Sequence, residues 1–131
     1  MGNKTYAKEW MTLAGRNLET ARLLIRENHF TDIIAIEIQQ VIEKSFKAVF
    51  AFHGEKIPKT HSLQVLYNFV QKTIELRSIT IDDIIIISDY YETQRYPGPK
   101  YFLPSLDEVQ HSMKIAEIVF NQILFYIESS C

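Results

Sequence analysis

Cysteine is nearly missing from this chain: the one cysteine among 131 residues is Cys131. That excludes an intrachain disulfide and a cysteine-based zinc site, and a reducing, cytoplasmic setting is expected. Glycine is sparse as well. Gly2, Gly15, Gly54 and Gly98 each stand alone, so there is no glycine-rich phosphate loop. Long apolar runs are absent, since Ile84 to Ile87 falls far short of the roughly 20 residues that span a bilayer. The opening Met-Gly-Asn-Lys-Thr-Tyr looks like a myristoylation signal, but Tyr6 stands where Ser or Thr is required, and no apolar secretory segment follows. A soluble protein is expected. Neither sign of charge dominates: 14 basic residues against 16 acidic ones leave a net charge of −2. Binding nucleic acid by bulk charge is therefore disfavoured, which leaves room only for a local patch. At 15.3 kDa, residues 1–131 have material for one domain and not for two separate cores.

Proline is confined to Pro58, Pro97, Pro99 and Pro104, which frees residues 1–57 and 105–131 for long helices. The apolar spacing agrees. Tyr6, Trp10, Ala14, Leu18, Ala21 and Ile25 recur every three or four residues, widened by Leu13 and Leu24, and predict a helix over 4–27 that Asn28 and His29 break. A second helix is predicted from Thr31, as its cap, to about His53, with Gly54 as the stop. Apolar side chains cover most of its circumference, so it should be the central helix. One polar strip remains on it: Glu37, Gln40, Lys44 and Lys47, with Gln39 and Glu43 alongside. Such a strip should meet solvent, a second copy or a ligand.

A third helix is predicted over 61–77, with Thr60 as its cap. Residues 79–93 are rich in isoleucine and have a strand as rival. Thr80 and Asp83 resemble a capping box and no second strand is available to pair, which favours helix. Residues 94–104 cannot be regular helix. Ser105 and Glu108 then form an S-x-x-E box opening a last helix, whose stripe is Leu106, Val109, Met113, Ala116, Phe120, Ile123 and Ile127. The fold class is all-α, an up-and-down antiparallel bundle of about five helices.

Catalytic signatures of the familiar kinds are missing. No H-E-x-x-H, Glu-x-x-His pair or Cys/His cluster offers metal ligands, and no Ser or Cys sits in a recognisable nucleophile context. Neither a metal nor a cofactor is expected. What remains is Arg95, at the proline-rich kink, and the polar strip that it should face. Arg95 has a bracing role open to it, bonding carbonyls at a helix end. Its planar fork also suits a phosphate. Gln40, Lys44 and Lys47 would line the groove opposite. Glu43 and Lys47, four apart, read equally as a helix-face ion pair worth about 0.2–0.5 kcal/mol. His61 reads first as a helix-start residue, and His53 and His111 as surface or helix-end residues. Tyr90, Tyr91, Tyr96 and Tyr101 gather around Arg95, more aromatic surface than a small core absorbs, so pairing of two copies is expected. Residues 1–60 hold nine basic and seven acidic groups, and 61–131 hold five and nine. Positive charge is thus biased to the first two helices.

Four stretches carry a resemblance: Gln39-Gln40-Val-Ile-Glu43-Lys44-Ser-Phe-Lys47-Ala48; Thr60-His61-Ser-Leu63-Gln-Val-Leu66; Arg95-Tyr96-Pro97; and the spaced Ala7, Trp10, Ala14, Leu18 and Ala21. In order and spacing they resemble the HEPN family (higher eukaryotes and prokaryotes nucleotide-binding domain) over essentially the whole chain. The resemblance implies a helical bundle that is usually a homodimer. Many such proteins are ribonucleases, often toxins, or stand beside minimal nucleotidyltransferases as toxin–antitoxin pairs; others are binding or scaffolding domains. The nuclease members carry R-x4-6-H at the entry to the last helix. Here Arg95 matches the arginine, but Lys100, Tyr101 and Phe102 occupy the histidine positions. A lysine with an ordinary pKa near 10.4 stays protonated at neutral pH, so Lys100 can hold a phosphate but not accept a proton. The R-x6-H spacing of Arg22 and His29 falls at the wrong place, on the first helix. The resemblance therefore implies nucleotide or RNA-phosphate binding without efficient nuclease activity, through Arg95, Tyr96, Gln40, Lys44, Lys47, Lys100 and His61. Its alternatives are a ribonuclease with a non-standard catalytic histidine, in which Arg95 takes part, and a non-enzymatic scaffold or antitoxin-like protein.

Overall fold

Each helix of the computed structural model, which describes residues 3–130, begins where the local chemistry supplies a start. Cys131 and the Met1-Gly2 start of the myristoylation-like pattern lie outside the described residues. Helix α1 (Lys4–Arg26) is capped by Asn3, whose side chain accepts from the Tyr6 N–H at 2.8 Å. It ends as predicted, at Asn28, whose φ of 54° lies in the left-handed region. Helix α2 (Thr31–Phe52) runs to a stop at Gly54, φ 70°.

The start of α2 departs from expectation. Phe30 is the cap residue and provides no side-chain hydrogen bond; Thr31 lies one residue inside. Its hydroxyl instead donates to the Pro104 carbonyl at 2.7 Å, tying the helix to the distant proline-rich segment. Helix α3 (Leu63–Thr73) is shorter than the predicted 61–77 and is capped by Ser62, not Thr60. Thr60 accepts from the Ser62 N–H at 3.1 Å, one step too early to cap. Helix α4 (Ile81–Thr93) opens on a complete Thr80/Asp83 capping box, which settles the helix-against-strand question. Helix α5 (Leu106–Ser129) is capped by Ser105, accepting from the Glu108 N–H at 3.1 Å. Only that half of the S-x-x-E box forms, because the Glu108 carboxylate accepts from the Tyr90 hydroxyl at 2.6 Å.

The five helices, with no strand among the described residues, make the all-α bundle that the periodicities predict. None of these helices is long and apolar enough to cross a membrane. Helix α2 is the middle rod. It packs against all four others, most heavily against α1 and α5. Ala7, Ala14 and Ala21 on α1 are fully buried, and such small side chains let two helix backbones approach closely. Ile34, Ile38, Ile42 and Phe46 fill the centre, each stabilising the fold by about 1.5–3 kcal/mol through burial. Three members of the predicted stripes fail: Leu106, in the first turn of α5, and Tyr6 and Leu13 on α1 are all more than 40% exposed.

A stacked arginine, tyrosine and histidine on a buried carboxylate

Gln39, Glu43 and Lys47 stand four residues apart, and so share one face of α2. The strip expected to meet solvent or a ligand is, along these three, internal: their exposures are 0%, 4% and 8%. It is buried because its members satisfy one another. One Glu43 oxygen accepts from the Lys47 ammonium at 3.1 Å. The other accepts from the Gln39 amide at 3.0 Å and lies 3.1 Å from His61 Nδ1. Gln39 also donates to the His61 carbonyl at 3.1 Å, and Gln40 donates to the Gln39 oxygen at 2.7 Å. Burial alone would raise the Glu43 pKa. The hydrogen bonds from Gln39, Lys47 and His61 and the Lys47 charge outweigh it, and the carboxyl titrates below its usual range. Beneath the cluster, Lys47 lies 5.9 Å from the Trp10 ring centroid.

The turn before α3 carries His61 to this carboxylate. Ser62 caps α3, and the Leu63 N–H donates to Ser88 Oγ on α4 at 2.9 Å, which pins the turn between α2 and α4. Tyr91, one turn further along α4, lies flat on the imidazole: ring centroids 3.8 Å apart, planes 12° from parallel. Arg95 follows Tyr91 by four residues, just past the Gln94 that ends the helix, with its guanidinium carbon 4.4 Å from the Tyr91 centroid. One face of the tyrosine is taken by His61, so the guanidinium covers the other. Tyr96, 59% exposed, flanks the same guanidinium at 5.7 Å. The result is a column that runs from the buried Lys47 and Glu43 through His61 and Tyr91 to Arg95 at the surface.

A carboxylate can only accept from a neutral imidazole, so Glu43 makes Nδ1 the protonated nitrogen and leaves Nε2 as an acceptor. The His61 side chain is 50% accessible. Beside it opens a cavity of about 410 Å³, bordered by Thr60, Ser62, Gln64, Asp89 and Glu92. The Arg95 guanidinium forms no ion pair among the described residues, and its side chain is exposed. No group of three His, Cys, Asp or Glu side chains among the described residues is placed to hold a metal.

The predicted site residues thus divide. Arg95, Tyr96 and His61 come together, and Lys47 and Gln40 join them through the Glu43 cluster. Lys44 turns the other way, donating to Asn17 on α1 at 2.7 Å, while Asn17 donates to Glu37 at 2.9 Å. Lys100 is exposed on the proline-rich segment and makes no ion pair among the described residues. Arg95 does not touch the strip directly; Tyr91 and His61 stand between. Arg95 also donates no hydrogen bond to a helix-end carbonyl among the described residues, so bracing does not describe it. Of the four tyrosines expected to gather around Arg95, Tyr91 and Tyr96 do, whereas Tyr90 is engaged by Glu108 and Tyr101 by Asp32; that Tyr91 would stand between Arg95 and His61 was not foreseen. His53 and His111, read as surface or helix-end residues, bond Tyr126 at 2.9 Å and Asp83 at 3.1 Å respectively.

The family model described as HEPN domain matches residues 7–125, nearly the full length. The chain belongs to the HEPN family. A protein of Methanocaldococcus jannaschii named "Putative toxin MJ1304" is 29% identical over 107 residues, covering 76% of this chain and 68% of that one. The crystal structure of an archaeal HEPN homologue superposes with a TM-score of 0.69 at 21% identity, covering 92% of this chain and 97% of the other, and so shares its fold. Within this HEPN domain, the three positions that lack a histidine after Arg95 have other engagements or none. Tyr101 donates to Asp32 at 2.7 Å, and Phe102 lines an apolar groove with Ile86, Ile87 and Tyr90 between α4 and α5.

Proposed function

We propose that this HEPN domain binds the phosphate of a nucleotide or of single-stranded RNA at Arg95, with Tyr91, Tyr96 and His61 forming the rest of the contact surface. The observation that carries the reading is an exposed guanidinium, held over the Tyr91 ring with its carbon 4.4 Å from the centroid and without an acidic partner among the described residues. Contact with the ring restrains the fork, and a fork held in place can offer two parallel N–H donors to phosphate oxygens. Tyr96 presents a ring on which a base can stack, a contact worth about 1–3 kcal/mol per base. Lys100, on the same exposed segment, adds charge without geometry. Lys44 and Lys47, committed to Asn17 and Glu43, act by supporting the scaffold. Gln40 likewise steadies Gln39.

The domain works as a homodimer in the cytoplasm, paired with a minimal nucleotidyltransferase in a toxin–antitoxin arrangement. The name of the methanococcal relative supports the toxin side of that pairing. Exposed Ile81, Ile85, Ile86, Phe102 and Leu103 support self-association. Titration of the protein with nucleotides and short RNAs, followed calorimetrically and by fluorescence anisotropy, tests the binding. Arg95→Ala should weaken it at least tenfold and reduce its salt dependence, with the fold unchanged. Absence of binding to every nucleotide and RNA at high protein concentration would remove the reading. Sedimentation showing only a 15 kDa species at micromolar concentration would remove the dimer.

A further inference from the structure

We infer that the furrow between α1 and α5 seats a helix of another protein, one that is apolar on the face it buries, acidic on one flank and basic on the other. The furrow shares no residue with the Arg95 column. Helices α1 and α5 run antiparallel: Lys4, at the start of α1, donates to the Glu128 and Ser130 carbonyls at the end of α5, at 3.4 and 2.8 Å. Each packs more on α2 than on the other, so a trough is left between them. It holds two cavities in line, about 500 Å³ beside Gly15 and Phe120 and about 690 Å³ beside Ile25 and Met113. The Arg22–Glu117 ion pair, 2.8 Å, crosses the trough between those two levels. From Lys8 to Arg26 the trough is about 27 Å long, about five turns of a seated helix.

Gly15 points to an occupant. It stands in the interior of α1, where glycine destabilises a helix relative to alanine. Nothing within the chain demands it. Its φ is not in the left-handed region, and a methyl group there would meet only the Phe120 ring, at 3.5 Å, an ordinary van der Waals contact. Bare backbone on the floor of a trough is what the close approach of a second helix uses. The two walls then say what that helix must carry. On the α1 wall, Lys8, Arg16 and Arg26 form no ion pair among the described residues; on the α5 wall, neither do Asp107 and Glu128. Arg22 and Glu117 repeat the same polarity, and Glu19 and Lys114 are the exceptions to it. A helix with glutamates toward α1 and lysines toward α5 meets opposite charge on both sides, whereas a helix of one sign meets like charge on one of them. Part of the basic bias of residues 1–60 is thus placed along this wall.

A fluorescein-labelled peptide of about 18 residues, with leucine along one face, glutamate on one flank and lysine on the other, tests the seat when titrated with the full chain and followed by anisotropy. Its control keeps the composition and the leucine face but alternates glutamate and lysine on both flanks. The split peptide should bind about tenfold more tightly than the control, a margin that high salt removes. Gly15→Ala should raise the midpoint of thermal unfolding by a few degrees and yet weaken the split peptide about tenfold, a combination that repair of a helix alone does not produce. Arg26→Glu should weaken it about fivefold and turn preference toward a peptide with lysine on both flanks. Ile86→Ala, on the exposed face of α4, should bind the split peptide as wild type does. Absence of binding, equal binding of split and control peptides, a stabilised Gly15→Ala that keeps full affinity, or a loss in Ile86→Ala overturns the assignment. A dimer of this chain that Arg26→Glu dissociates overturns it too, since a second copy would then fill the trough. None of these outcomes touches phosphate binding at Arg95, which is measured with RNA and not with the peptide.

Discussion

The two flanks of α2 are built differently. On one side, α1 and α5 close over it mainly through alanines and branched aliphatic side chains, with polar links such as Lys44–Asn17–Glu37 toward the edge of the contact. On the other, α3 and α4 are stitched on by individual polar links: Leu63 to Ser88, His61 to Glu43, Tyr90 to Glu108. Helix α4 barely touches α5 and leaves Ile81, Ile85 and Ile86 in solvent. Stability resides in the first flank and specific geometry in the second. The Gln39–Glu43–Lys47 cluster is the buried polar connection between α2 and the second flank, because it is rooted in α2 and bonded to the turn before α3.

The comparison can be broken most forcefully at that connection. Glu43→Ala leaves the buried Lys47 ammonium without its partner and should cost about 3–5 kcal/mol in chemical denaturation, far more than an exposed ion pair of the same spacing. A loss under 1 kcal/mol would mean that the cluster is not buried in solution. Next in size is a paired truncation. Ile42→Ala, on the fully buried side of α2, should cost about 2–5 kcal/mol, whereas Ile86→Ala, half exposed on α4, should stay within about 0.5 kcal/mol. Similar losses for both would erase the distinction between the flanks. The smallest effect lies in acid. Because the folded-state pKa of Glu43 lies below its ordinary value of 4.5, the unfolded chain binds more protons as pH drops beneath that value. Its stabilisation is complete above pH 4.5 and is lost as pH falls through the folded-state pKa; Glu43→Gln should flatten that slope in a series of denaturation curves.

Much of the scaffold was legible from periodicity. The Thr80/Asp83 box and most of the α1 and α5 stripes need only local spacing, and they hold apart from the exposed Tyr6, Leu13 and Leu106. The edges of α3 did not, because Ile74, Leu76 and Ile79 continue the apolar pattern beyond the helix, which stops at Thr73 with Ile74 already extended at φ −143°. At the site, the residue types were readable and their pairing was not. A polar strip on an apolar helix looks the same in sequence whether it faces water or satisfies itself. Gln39, Glu43 and Lys47 do the latter only because the turn carrying His61 arrives from twenty residues away. Tyr91 was indistinguishable from Tyr90 by pattern, yet one ring stacks on histidine and the other is buried against Glu108 and Ser112.

The proline-rich segment is moored far from Arg95 as well as near it. Thr31 grips the Pro104 carbonyl, and Asp32 receives the Tyr101 hydroxyl, both at the first turn of the middle rod. A transplant of residues 94–105 into another bundle would therefore arrive slack unless the recipient also carried a threonine and an aspartate at the head of its second helix. Those two positions, remote from the column itself, set the tension under which the loop is strung.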